Sequence, residues 1–395
     1  MALGFKSLLK SALWIIPTSM IAGLLVFLGS KQVFGLYSLS DNLNFYIDIL
    51  LAYIFVSFPL SISSVNRDFF GKVKTLWQYS ALQYVSQWGI SLVVVIFILK
   101  NIFPVLTDQF GVILPAGFAG GHGSAAVMGD ILGRMGFTEA LTLAMTMATI
   151  GAVFSLVGGI GWIYWGRKKG YLEKINFNVK IENKKPIYFN PKSLILITSI
   201  IIVAFFLKPL LSSLLKFEIP IFAVTVAVSV LVRIFRPNLK IHKLTLEKST
   251  NLSTDFLVLI GIAGIKLLIV EIYLWPLIIM ALIGLTLSVT YFTQLGMRVF
   301  DKDSFSKAVF TWGWSVGGLV FGLALVKMIK KDDNMKILEQ FAFTYLMLAP
   351  IEIGLLLSMP YITTQGYGLY MAIPMILLAL ILIKLLSSKA DKVLK

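Results

Sequence analysis

Apolar runs of roughly 20 residues recur along the whole chain, each long enough for one helix across a lipid bilayer. They predict helices at 11–29, 45–63, 77–99 and 138–165 in the first half of the sequence. A second set falls at 193–215, 219–235, 253–271, 274–293, 338–360 and 366–386. Between the sets lies the longest polar stretch, 166–192, with eight Lys or Arg against Glu173 and Glu182. The opening segment, with Lys6 and Lys10 before an apolar run, reads as a short lead-in to a retained first span. It has no A-x-A cleavage pattern.

Two segments resist this scheme. Residues 104–129 and 308–329 are apolar but broken by glycine. Counting either as a full span reverses the side of every later loop. Counted as re-entrant hairpins, they leave most basic loops on one face, as the positive-inside rule requires. That face is then cytoplasmic and carries both termini, in a cell or inner membrane.

Composition agrees. The chain of 395 residues is 58% hydrophobic and 14% charged, with a mean hydropathy of +0.88. Soluble domains run nearer half apolar and a quarter charged, so the surplus faces lipid. The net charge of +16 is explained by the loops and does not point to nucleic acid. With no cysteine and two separated histidines, no metal cluster or other cofactor is expected.

The halves share an order of elements. Pro17 and Pro220 each open a span, Asp48 and Asp255 each begin the next, and Gly120-Gly121 and Gly317-Gly318 mark the two hairpins. The expected fold is therefore an all-α polytopic membrane protein with about ten spans. It has two inverted repeats, 1–165 and 193–365, joined by the linker 166–192. An extra helix and tail follow at 366–395. Inverted repeats with broken backbone at the midplane are the architecture of secondary transporters.

Candidate chemistry gathers at the hairpins. The first tip reads Gly120-Gly121-His122-Gly123-Ser124. Its glycines permit a tight reversal, and the helix that follows offers its N-terminus to a carboxylate. The second tip offers Thr311, Ser315, Gly317 and Gly318, with Trp312 and Trp314 read equally as cavity lining or as ordinary lipid-facing or core aromatics. Lys266 and Glu352 lie deep in predicted spans, where a charge needs a partner or a solute. Glu352 reads as a ligand for a coupling cation, together with Ser124, or as an ion-pair partner of Lys266. Lys327 reads as an interfacial lysine and His242 as a solvated one. Residues 313–317 also match G-x-S-x-G, which opens an alternative: an intramembrane serine hydrolase using Ser315 and His122. The apolar helical setting lacks the strand–turn–helix that this motif requires.

The stretch "GFAGGHGSAAVMGDILGRMGFTEALTLAMTMATIGAVFSLVGGIGW" resembles the sodium/glutamate symporter family, whose first re-entrant loop carries G-G-H-G-[ST]. Weaker similarity runs through "EIPIF", "IGIAGIKL" and "GLALVKM". The resemblance implies a glutamate symporter driven by sodium, not an enzyme. Its re-entrant loops meet at a central site, and a mobile domain works against a dimeric scaffold. It implies that Gly120 to Ser124 line the site from one side and Gly317 and Gly318 from the other. Lys266 and Glu352 fall at family lysine and acidic positions. Three features depart from the family. The second hairpin continues Gly318-Leu319-Val320-Phe321-Gly322 where the family has hydroxyls, the family's first span is missing, and a C-terminal helix is added. The expected function is thus a carrier of glutamate or a related amino acid or dicarboxylate, coupled to sodium or protons. A family-derived sensor that no longer transports is a further reading.

Overall fold

The computed structural model describes residues 18–30, 32–34, 43–61, 68–172, 189–215, 219–236, 239–300, 304–329 and 334–393. Lys6, Lys10, Pro17 and most of the basic segment 166–192 lie outside them. The protein is helical, with no strand among the described residues. In chain order the helices are α1 (Thr18–Gly29), α2 (Leu43–Ser61), α3 (Asp68–Val94), α4 (Ile113–Gly117), α5 (Gly121–Arg134) and α6 (Ala140–Lys169). Then follow α7 (Pro191–Leu215), α8 (Ile221–Phe235), α9 (Lys243–Ala263), α10 (Leu267–Ile272) and α11 (Leu274–Tyr291). The last are α12 (Ser304–Gly317), α13 (Leu319–Lys327), α14 (Asn334–Thr364) and α15 (Gly368–Val393).

Among the described residues six helical segments are long and apolar enough to span a membrane: Val73–Ile102, Ala140–Lys169, Pro191–Leu214, Leu274–Val299, Met347–Thr364 and Gly368–Ala390. α1, Phe45–Ser57 of α2 and α8 are shorter apolar helices. Their outward faces carry large apolar side chains, such as Phe206 and Phe235, both 77% exposed. Water would penalise such faces and lipid tails would not. The chain is a helical membrane protein.

The chain forms two compact units, and the boundary is not the linker. One comprises 17–65 and 178–264; the other comprises 1–16, 66–177 and 265–395. The halves 1–165 and 193–365 are thus sequence divisions, and each contributes to both units.

In the smaller unit α1 packs on α9, α8 on α2, and α2 on α9. Ala52, Val56, Ile197, Ile201, Ile221 and Val224 lie at its core. Two polar contacts between its helices are formed by buried or half-buried aspartates. The Ser19 hydroxyl donates to Asp255 at 3.1 Å, and Lys208 pairs with Asp48 at 3.5 Å. Both aspartates lie within helices, and each meets a neighbouring helix.

The larger unit holds both glycine-broken segments. α3 runs on through a π-turn, Val95–Leu99, to Ile102, and α11 runs on through another, Phe292–Gly296, to Val299. After each comes a helical hairpin. The first, 108–134, begins with a 3-10 turn at Asp108–Val112 and continues as α4 and α5. Its ends converge: Gln109 Nε2 donates to the Thr364 hydroxyl at 2.8 Å, and that hydroxyl lies 3.8 Å from Met135 Sδ. The second, 304–327, folds α13 back on α12, so that a β-carbon on Gly313 would sit 2.6 Å from Gly322 Cα. The first hairpin is five residues longer at its far end than the expected 104–129. The reason is that Ile131 and Leu132 are buried and extend the helix to Arg134.

α6 is the wall on which the second hairpin rests. Gly151, Ser155 and Gly159 recur every four residues, a small-residue stripe that lets backbones approach. A β-carbon on Gly151 would lie 2.3 Å from the Val316 carbonyl oxygen. Ser155 donates to Gly313 O at 3.1 Å, and Trp312 Nε1 donates to Ser155 O at 3.1 Å. Trp312 and Trp314 are 1% and 2% exposed. Trp312 packs edge-on to Trp162, and Trp314 stacks on Tyr84. Of the two readings of these tryptophans, core packing is the one observed.

The predicted span 253–271 is corrected. α9 ends at Ala263, Gly264–Lys266 interrupt the helix, and α10 begins at Leu267. Glycine at 261 and 264 weakens the helix there. Lys266 has extended backbone (φ −96°, ψ 110°) and an exposed side chain. It does not lie inside a continuous helix.

Candidate functional site

The two hairpin tips meet. Gly121 and Gly318 both have positive φ, +64° and +88°, a backbone conformation that costs a residue with a β-carbon roughly 1–2 kcal/mol. Space enforces the choice as well. A β-carbon on Gly121 would lie 3.3 Å from Gly317 O and 3.4 Å from Gly318 Cα. One on Gly318 would lie 3.3 Å from Gly121 Cα. The glycine doublets of the two halves therefore touch backbone to backbone. Gly120 is packed against its own hairpin, where a β-carbon would strike Ser124. Gly123 faces open space, with nothing within 4 Å. Leu319 and Val320, 37% and 48% exposed, flank the same junction.

Each tip ends one helix and starts another, so both kinds of helix terminus come together. α5 and α13 begin there, and neither has a side-chain cap. Their first N–H groups and positive dipole ends favour negative charge. α12 ends there, and its carbonyls need donors. Gly318 N closes onto Trp314 O at 2.9 Å, and Gln87 Nε2 of α3 donates to Ser315 O at 2.8 Å.

A carboxylate is also present. Ser124, in the first turn of α5, donates to Glu352 Oε1 at 2.9 Å, and both residues are buried. Glu352 comes from α14, so one contact ties the first hairpin to the helix that follows the second. The expected alternative partner, Lys266, is not involved: its ammonium makes no ion pair or hydrogen bond among the described residues. Glu352 thus accepts a hydrogen bond beside the N-terminus of α5, the dipole end that favours negative charge.

His122 is buried, with its Nε2 3.3 Å from the Thr149 hydroxyl of α6. Ser315 is buried, with its hydroxyl 3.4 Å from Trp312 O. No hydrogen bond joins His122 and Ser315 among the described residues, so the geometry does not couple them as base and nucleophile. Thr311 lies deeper in α12 and turns its hydroxyl back to Lys307 O at 2.9 Å; it does not reach the tip. The Lys327 side chain lies outside the described residues. His242 precedes α9, with its Nδ1 2.9 Å from the Thr245 hydroxyl. No group of three or more His, Cys, Asp or Glu is placed to hold a metal ion among the described residues.

Sequence reading passed over α3. Ser80, Gln83, Gln87 and Ser91 are each at most 2% exposed. The Ser91 hydroxyl bonds Gly111 O in the first hairpin, as Gln87 bonds the second. The signal was available: polar residues at intervals of three, four and four within an apolar span form one stripe. The pair Asp130 and Arg134, with Nε 3.0 Å from both carboxylate oxygens, was also passed over.

No protein-family model matches the chain, and no curated protein matches it.

Proposed function

We propose that the protein is a secondary active transporter for a small organic anion, glutamate or a related amino acid or dicarboxylate, coupled to sodium or protons. The contact of Gly121 with Gly317 and Gly318 carries this reading. Bare backbone from two hairpins, with two uncapped helix N-termini, offers an anion more donors than the protein itself uses. Opposed carbonyl ends and the Ser124–Glu352 pair offer oxygens to a cation. The resemblance of residues 117–162 to sodium/glutamate symporters points to the same solute class.

In this reading the halves are inverted repeats, and the hairpins are re-entrant loops from opposite faces of a cell membrane. The common order supports it: α1 and α2, or α8 and α9, in the smaller unit, then a long helix interrupted by a π-turn, a hairpin, and a long helix, with α7 and the short α10 extra in the second half. So does the exchange of partners, α1 with α9 and α8 with α2. The unit with both tips is the moving body of an elevator mechanism. The other is the scaffold and the surface of a homodimer. The test is uptake of labelled glutamate, aspartate and dicarboxylates by proteoliposomes, with and without a sodium or proton gradient. Gradient-dependent accumulation is expected; its absence for every solute removes the reading.

A further inference from the structure

The stripe on α3 contains oxygens left unmatched among the described residues. Gln83 Oε1, Gln87 Oε1 and the Ser80 hydroxyl are buried there without a hydrogen-bond partner. For Gln87 the orientation is fixed by chemistry. Only its NH2 can donate to the Ser315 carbonyl, so its oxygen is the end left over. Gln83 lies one turn before Gln87 and Ser80 one turn before Gln83, so all three side chains fall on one helix face. Buried polar atoms are rarely left unpaired, because each forfeits its hydration for nothing. Three neutral oxygens within two turns, in the core of the unit that carries both tips, ask for a common partner.

That partner must supply positive charge or donors. A hard cation takes oxygen ligands alone, from amide carbonyls and hydroxyls as readily as from carboxylates. With no carboxylate in the stripe, the charge that three neutral oxygens can balance is small, which selects a monovalent ion. Water is the rival occupant, since one molecule can donate to two acceptors.

We propose that Gln83 Oε1, Gln87 Oε1 and Ser80 Oγ form a binding site for an alkali cation. Gln87, which ligates the ion and holds Ser315 O, links its occupancy to the second hairpin. The ion's purpose as a coupling ion rests on the carrier reading; its binding does not.

The test is thermal unfolding of the purified full-length protein in detergent, titrated with sodium or potassium chloride against choline chloride at constant ionic strength. The wild type is expected to gain stability saturably with one of the alkali ions. Gln83→Met leaves the Gln87–Ser315 bond in place. It should raise the half-saturating concentration at least about tenfold by the linkage of binding to stability, while unfolding no earlier than wild type in choline. Ser80→Ala should act in the same direction. A wild type indifferent to alkali ions, as a water-filled stripe would be, overturns the proposal. So does a Gln83→Met variant with an unchanged half-saturating concentration. Specific ion binding in a protein that moves no solute keeps this proposal and removes the carrier reading. Gradient-driven uptake without alkali-ion binding does the reverse.

Discussion

Gly318 Cα lies 3.4 Å from the point that a β-carbon on Gly121 would occupy, and the converse distance is 3.3 Å. Two residues almost 200 positions apart in the chain are thus in backbone contact, each in a left-handed conformation. Gly318→Ala and Gly121→Ala add strain of roughly 1–2 kcal/mol at the torsion alone. Each also pushes the tips apart. Both variants are expected to insert and fold but to lose solute uptake by a factor of ten or more, an effect of about 1.4 kcal/mol or greater on the transport barrier. Uptake at wild-type rate in either variant would show that the contact is not part of the transport path.

The Ser124–Glu352 hydrogen bond makes a separate prediction. Ser124→Ala removes one hydrogen bond to the buried Glu352, at a cost of about 1–3 kcal/mol. Glu352→Gln keeps the shape and removes the charge. If the pair serves coupling, Glu352→Gln abolishes the response of uptake to the ion gradient but still permits solute exchange across a membrane without one. Counterflow measurements in proteoliposomes separate the two activities. Equal loss of both would assign Glu352 a structural role.

Packing on α6 gives a test independent of function. A β-carbon on Gly151 would meet the Val316 carbonyl at 2.3 Å, and backbone cannot step aside as a side chain can. Gly151→Ala is expected to destabilise the protein by about 1–3 kcal/mol through overpacking. Gly161 lies on the same helix with nothing within 4 Å. Gly161→Ala should be neutral or stabilise by up to roughly 1 kcal/mol through helix propensity. Thermal unfolding of the two variants in parallel decides it; equal behaviour would contradict the close approach of α6 and the second hairpin.

Much of this fold was legible as hydropathy. Apolar runs located most of the long helices to within a few residues. The exceptions are α3 and α9, which begin nine and ten residues before their predicted spans, and α15, which ends seven after, because polar end turns add nothing to an apolar run. Glycine doublets located the two breaks between helices at Gly121 and Gly318, because a positive φ favours residues without a β-carbon. The position of Lys266 was not legible: a local helix break at Gly264 does not alter the mean hydropathy of the run. Nor was the division into two units, which depends on which helices pack together and not on their order. The polar stripe containing Gln87 was legible as spacing, but its partner, Ser315 O, was not, because the two lie in distant parts of the chain. The pairing of Ser124 with Glu352 likewise joins residues whose proximity no local pattern encodes.

The most direct test of the central claim uses the absence of cysteine from the chain. Gly123→Cys introduces a single thiol at the tip junction, where a β-carbon meets nothing within 4 Å. Its rate of maleimide labelling should fall several-fold when the transported amino acid or dicarboxylate is present, by simple occupancy of a shared site. Labelling at one unchanged rate, with and without saturating solute, in a variant that still transports would place the solute elsewhere and contradict the account.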